Sequence, residues 1–249
     1  MSAPTQPSSG APDGPSPDQV VAIAANLRAV RARVASACER VGRDPASVAI
    51  VAVTKRHPVA VLLAAAAAGI VDIGENYAQE MRDKRAELGA AARRFTWHFI
   101  GQLQRNKVKY VAGNAALIHA VDSVAIAEDI VRHAERQKIV QRVLLAVNTG
   151  GEAAKSGVAP DQAGAVLDAL HALPGIVVAG LMTMPPFAEV AEDNRVYFRI
   201  LAGLRRELAS PTRPLSELSM GTTDDFEVAV EEGATLIRVG TALFGSRPT

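Results

Sequence analysis

Val48-Ala49-Ile50-Val51-Ala52-Val53-Thr54-Lys55 is an apolar, β-branched run that stops at a lysine. Such a run reads as a buried strand, with Lys55 at its C-terminal end. Desolvation there disfavours the ammonium form. A neutral amine is the nucleophile that attacks a carbonyl to form a Schiff base. Taken alone, the segment also fits a lysine that simply reaches solvent.

The run is the first of a series. Apolar or β-branched stretches recur at 48–53, 70–74, 95–100, 116–121, 142–147, 176–181, 215–219 and 235–239. Most are separated by segments of helical composition, at 59–68, 78–88, 124–137, 160–173, 192–209 and 225–232. Alternation of this kind implies parallel strands joined by crossover helices. Eight such units predict an α/β fold, a single closed (β/α)8 TIM-type barrel. A doubly wound open sheet is the competing arrangement, and the count of eight favours the barrel. Ahead of the first strand, Val20, Ile23, Leu27, Val30, Val34 and Val41 recur near the helical period over 18–42. The opposite face of that helix, with Arg28, Arg31, Arg33 and Arg40, reads as solvated. Residues 1–17 are rich in Pro, Ser and Gly and lack the apolar core of a signal peptide. They are expected to be a disordered tail, and residues 18–249 a single domain.

Composition narrows the function classes. The chain has 249 residues, 49% apolar and 21% charged, enough for a substantial core. A net charge of +1 argues against a general nucleic-acid or membrane-surface role. No run has the ~18 apolar residues of a membrane span. The single cysteine, Cys38, rules out an internal disulfide, fits a reducing cytoplasm and reads as a small packing residue.

In a barrel of this type, chemistry gathers where the strands end. Those ends carry Thr54-Lys55, Gly74-Glu75-Asn76-Tyr77, His98 onward to Gln104, Asp122-Ser123, Asn148, Leu181-Met182-Thr183-Met184, Ser219 onward to Asp225, and Arg238 onward to Thr241. The last two place Gly221-Thr222-Thr223 and Gly240-Thr241 before short helical stretches. Glycine admits a ligand close to the backbone, and N–H groups at a helix start favour an anion. Barrels often bind phosphate between the loops after strands 7 and 8. Ordinary N-capping by Thr223 and Thr241 is the plainer alternative. Both loops together, opposite a strand-end lysine, point to a phosphorylated carbonyl ligand. Lys155, in a Gly-containing loop after strand 5, is either a solvated lysine or a second amine that accepts the aldehyde transiently.

Ala52-Val53-Thr54-Lys55, Gly74-Glu75-Asn76-Tyr77, Trp97 onward to Lys107, Gly180 onward to Met184, Ser219-Met220-Gly221 with Asp224-Asp225, and Arg238 onward to Gly245 occur in order and at fitting spacing. Together they resemble the pyridoxal phosphate homeostasis proteins, over residues 20 to 247. The resemblance implies a barrel of the alanine-racemase N-domain type, carrying pyridoxal 5′-phosphate (PLP) on Lys55. It implies phosphate loops at Met220, Gly221 and Thr223 and at Gly240 and Thr241. Arg238 would meet the pyridine nitrogen, Asn76 would lie near the ring, and His98 and Asn148 would line the same mouth. Where many members have Met-Ser after the glycine, this chain has Thr222-Thr223, and Thr223 keeps a hydroxyl.

The implied function is intracellular PLP homeostasis. PLP would be held as a Schiff base on Lys55 and released to PLP-dependent apoenzymes, without significant turnover. A weak amino-acid racemase, or another PLP enzyme of the same fold type, is the alternative. An arginine cannot accept a proton, so Arg238 would leave the pyridine unprotonated and the electron sink weak. Alanine racemase tolerates this but adds a second domain with a tyrosine base. Of Tyr77, Tyr110 and Tyr197, only Tyr77 lies at the active end. A monomer is expected, because the arginine face of the first helix offers no apolar patch to a second copy.

Overall fold

A computed structural model describes residues 14–152 and 156–245. Eight parallel strands close into a barrel in chain order. They are β1 (Ala49–Val53), β2 (Asp72–Glu75), β3 (Thr96–Phe99), β4 (Leu117–Val121), β5 (Gln141–Ala146), β6 (Ile176–Met182), β7 (Glu217–Thr222) and β8 (Leu236–Val239). Pairing of β8 with β1, Ala49 opposite Leu236 and Ala52 opposite Val239, completes the ring. The barrel is thus the closed form and not the open sheet. Around it run α1 (Pro17–Arg40), α2 (Val59–Ala67), α3 (Ala78–Leu88), α4 (Val108–Val111), α5 (Val124–Gln137), α6 (Ala163–His171), α7 (Arg195–Leu208), α8 (Phe226–Glu231) and α9 (Thr241–Phe244). Of the expected disordered tail, residues 1–13 lie outside the described residues. Pro17 already opens α1, at a position where its missing N–H costs nothing.

Strand alternation sorts the side chains into two cores. Ile73, Phe99, Ile118, Leu218, Ile237 and their like face outward and pack under the helices. Val51, Leu117, Leu144, Ala146, Ala179 and Leu236 face inward and form a smaller cluster inside the barrel. Several of the inward residues are alanines. The space they leave is taken by polar side chains on the same inward registers. His98, His119, Ser219 and Arg238 are all buried.

Observed strand ends fall within two residues of those expected, except in β7. That strand runs on to Thr222, so Gly221 and Thr222 belong to it and not to the following loop. Between β3 and β4, a 3-10 turn at Arg105–Lys107 leads into α4, a single-turn helix that is not among the segments expected to be helical. In α1, Ile23, Leu27, Val30, Val34 and Cys38 are buried, whereas Val41 lies past the helix end and is exposed. Burial also pushes the Cys38 thiol up, as befits a packing residue. The arginine face of α1 is not simply solvated. Arg33 pairs with Glu227 at 2.8 Å and lies over the Phe226 ring, and Arg40 pairs with Glu231 at 2.6 Å. Asn26 Nδ2 donates to the Leu243 carbonyl at 2.9 Å. The first helix is therefore fastened to α8 and α9.

Candidate functional site

At the C-terminal end of the barrel a cleft of about 250 Å³ opens between the ends of β1, β2, β7 and β8. Lys55, Asn76, Thr223, Arg238, Gly240 and Thr241 all line it. Thus six of the eight residues expected to hold the ligand come together. Met220 and Gly221 do not line the cleft. Ser219 faces inward, so the next residue, Met220, must face outward, and it is fully buried against the helices. Gly221 adopts φ +89, and a Cβ there would lie 2.5 Å from the Ala229 Cβ. Its lack of a side chain lets α8 approach β7 closely. A second lobe of about 290 Å³ adjoins the cleft, sharing Asn76, Ile100 and Met184.

A larger cleft, about 440 Å³, opens at the other end of the barrel, beside α1. Arg31 and Asp72 are its ionisable groups, and strand N-termini do not carry the chemistry of this fold. The smaller cleft, where a lysine, an arginine and two threonine-bearing loops converge, is the candidate site.

Lys55 is half-buried in the turn after β1. The chain on both sides of it is tied down. On one side the Thr54 carbonyl accepts from Lys84 Nζ at 2.7 Å. On the other, the Arg56 N–H donates to Glu80. Arg56 has φ +62, a left-handed conformation that costs a non-glycine residue about 1–2 kcal/mol. Lys84 is buried and also donates to Glu75 and Glu80, each at 2.7 Å. Glu75 is fully buried and accepts a further bond from the Thr54 hydroxyl at 2.6 Å. Burial pushes the Glu75 carboxyl up, against the opposing pull of Lys84 and Thr54. Its Oε2 has no partner among the described residues.

The two threonine-bearing loops are joined to each other. Thr223 Oγ1 accepts from the Gly240 N–H at 3.2 Å. Asp225 accepts from both the Thr222 N–H, at 2.6 Å, and the Thr222 hydroxyl, at 3.0 Å, and is itself held by Asn194. Neither Thr223 nor Thr241 caps a helix with its side chain. Asp225 stands at the cap position of α8 and Gly240 at that of α9. The plainer reading of these threonines as caps is thereby removed.

Arg238 rises from β8 into the base of the cleft. Its Nη1 donates to Ser219 Oγ at 2.6 Å and its Nη2 to the Thr183 carbonyl at 2.9 Å. Burial brings its pKa down to about 10, partly offset by Asp225, so it remains a cation at neutral pH. Its Nε, and Oδ1 of Asn76, are buried without a partner among the described residues. Buried donors and acceptors are nearly always satisfied. Both unmatched atoms belong to residues that line the cleft.

The remaining expectations divide. His98 is not at the mouth but inside the barrel, bonded to His119 and Asp72. Asn148 does not line the cleft, and its Nδ2 donates to the Glu152 carbonyl. Lys155 lies outside the described residues. Tyr77 is exposed beside Arg56 and does not line the cleft. Among the described residues no helix is long and apolar enough to cross a membrane, and no group of three or more side chains could hold a metal ion.

The chain matches the family model for the alanine racemase N-terminal domain over residues 22–248. It is 44% identical to the pyridoxal phosphate homeostasis protein of Aquifex aeolicus over 222 residues, 89% of this chain and 96% of that one. It is 43% identical to the protein of the same name from Pseudomonas aeruginosa, over 90% of this chain and 96% of that one. Among solved structures, PipY of Synechococcus elongatus with PLP bound superposes with a TM-score of 0.76 at 36% identity, covering 90% of this chain and 100% of that one. With its barrel, its strand-end lysine and this degree of likeness over nearly its whole length, the chain belongs to the pyridoxal phosphate homeostasis protein family, built on the alanine racemase N-terminal domain.

Proposed function

We propose that this protein binds PLP in the C-terminal cleft and serves intracellular PLP homeostasis. The observation that carries the reading is the unmatched Arg238 Nε at the base of a cleft that also holds Lys55. When bound, PLP supplies a reactive aldehyde, a phosphate dianion and a pyridine nitrogen that can accept one hydrogen bond. Lys55 would offer the amine that holds the aldehyde. Arg238 Nε would be the donor toward the pyridine nitrogen. Asn76 lies beside the ring. Thr223, Gly240 and Thr241 hold the phosphate with hydroxyl and backbone N–H groups. Met220 and Gly221 act indirectly, by letting β7 and α8 meet so that Thr223 reaches the Gly240 N–H.

The same geometry supports holding over turnover. An arginine at the pyridine nitrogen donates and cannot accept, so the ring stays unprotonated and stabilises a carbanion poorly. No tyrosine among the described residues lines the cleft to serve as a second proton-transfer group. Release then consists of giving the aldehyde to an acceptor amine, with PLP-dependent apoenzymes as final recipients. We further propose that residues 18–249 act as one domain, that the protein is cytoplasmic and monomeric, and that neither nucleic acid nor membrane is a partner. The near-neutral charge supports the last point.

Borohydride reduction of PLP-loaded protein followed by peptide mass spectrometry tests the reading. A pyridoxyl adduct on Lys55 is expected. No adduct, with no visible absorbance on PLP addition, would refute it.

A further inference from the structure

Arg238 is one end of a hydrogen-bonded chain that crosses the barrel interior. Arg238 Nη1 reaches Ser219 Oγ at 2.6 Å. Ser219 Oγ lies 2.8 Å from His119 Nδ1. His119 Nε2 lies 2.9 Å from His98 Nδ1. His98 Nε2 lies 3.1 Å from Asp72 Oδ1, at the start of β2 and the opposite end of the barrel. Ser219 and His119 are fully buried, whereas the Asp72 side chain is 35% exposed.

The chemistry of each group gives the chain a single direction. Guanidinium only donates, so Ser219 Oγ accepts from Arg238. The Ser219 proton then goes to its other partner among the described residues, His119 Nδ1, which must be an acceptor. A neutral imidazole with Nδ1 as acceptor carries its proton on Nε2 and donates to His98 Nδ1. By the same logic His98 carries its proton on Nε2 and donates to the Asp72 carboxylate. Burial first, then the neighbouring His98 and Arg238, hold His119 well below the ordinary imidazole value, as the neutral form requires. Reversing any one link would leave a fully buried polar group unsatisfied, and such groups are rare.

We propose that Ser219, His119, His98 and Asp72 are positioning residues for Arg238, a one-way chain that fixes the guanidinium so that its Nε is presented to the pyridine nitrogen of PLP. The inference rests on the PLP reading and extends it to four residues that never touch the ligand. Ser219 is the link that can be cut with the least change of volume.

Two measurements on the full chain test it. The first uses no ligand. In 15N-edited NMR of the histidine rings, His98 and His119 should both appear as neutral Nε2–H tautomers. A protonated His119, or an Nδ1–H tautomer at either ring, would overturn the chain. The second compares PLP with its deaza analogue, which has carbon in place of the pyridine nitrogen. Ser219→Ala should weaken PLP binding about tenfold, the scale of one charge-assisted hydrogen bond, and leave the analogue unchanged. Ser219→Thr, which keeps the hydroxyl, should restore the preference for PLP. Equal weakening of both ligands, or no change in either, would make Ser219 merely structural and refute the positioning role. If the wild-type chain takes up neither compound, the PLP reading itself fails and the positioning role falls with it. The tautomers would still decide whether the chain runs in one direction.

Discussion

Replacing Lys84 by methionine tests how the strand-end lysine is held. Lys84 Nζ has three partners, the Thr54 carbonyl and the carboxylates of Glu75 and Glu80, and all three distances are 2.7 Å. Methionine fills the space but satisfies none of them. Glu75 would keep only the Thr54 hydroxyl, with its charge in a fully buried position. Breaking a buried pair from one side costs about 3–5 kcal/mol. For a chain of this size that lowers the melting temperature by roughly 10 °C. The loss should depend on pH. Burial already holds the Glu75 carboxyl above its ordinary value, so the folded state takes up this proton more readily than the unfolded chain. A group of that kind contributes most below the ordinary carboxyl range, and its contribution is lost as pH rises through the raised value. Without Lys84 the value climbs further and the window widens upward. Lys84→Met should therefore cost less near pH 5 than near pH 8, and adding Glu75→Gln should recover most of the difference. Urea unfolding at the two pH values, with the double variant alongside, measures this. A loss independent of pH, or a double variant no better than the single, would refute the account.

Lys55→Ala should abolish both the visible band formed with PLP and the borohydride adduct while leaving the far-ultraviolet dichroism unchanged; an adduct on another lysine would reassign the site. Pyridoxal should bind about a hundredfold or more weakly than PLP, because each charge-assisted contact to the phosphate is worth about 1.5–3 kcal/mol. Titration with the two compounds decides this, and equal affinities would dispose of the cradle formed by Thr223, Gly240 and Thr241. Exchange of the α-proton of alanine or serine in deuterated water, followed by NMR, should stay far below the ordinary enzymatic range of about 1–10³ s⁻¹. Rapid exchange would favour the racemase.

The barrel was legible because parallel strands are buried on both faces and so read as continuous apolar runs. Val48 to Val53 shows this plainly, and so does the run at 176–181. The β3–β4 connection was not legible, because α4 is a single turn, too short for its apolar residues Val108 and Val111 to show a helical period. The site divides in the same way. Lys55, Arg238 and the two threonine-bearing loops announce themselves by standing at strand ends. The outward direction of Met220 was available from period-two alternation, given that Ser219 faces inward. Lys84 was hidden, since it is one of several charged residues in Ala78–Leu88 and nothing local marks which of them is buried. The interior chain was beyond reach of any local pattern. His119 and Ser219 are 100 positions apart and meet only because the barrel closes.

Closure also decides when the cleft exists at all. Lys55 follows β1, and the strand beside β1 is β8, which carries Arg238 and leads into Gly240 and Thr241, nearly 200 positions away in sequence. The clasp between α1 and the last two helices, through Arg33, Arg40 and Asn26, waits for the same residues. Contacts of such long sequence separation form late, because the loop-closure entropy is lost before they can stabilise anything. A chain in which β1 and β8 are still apart therefore has Lys55 but no cleft around it.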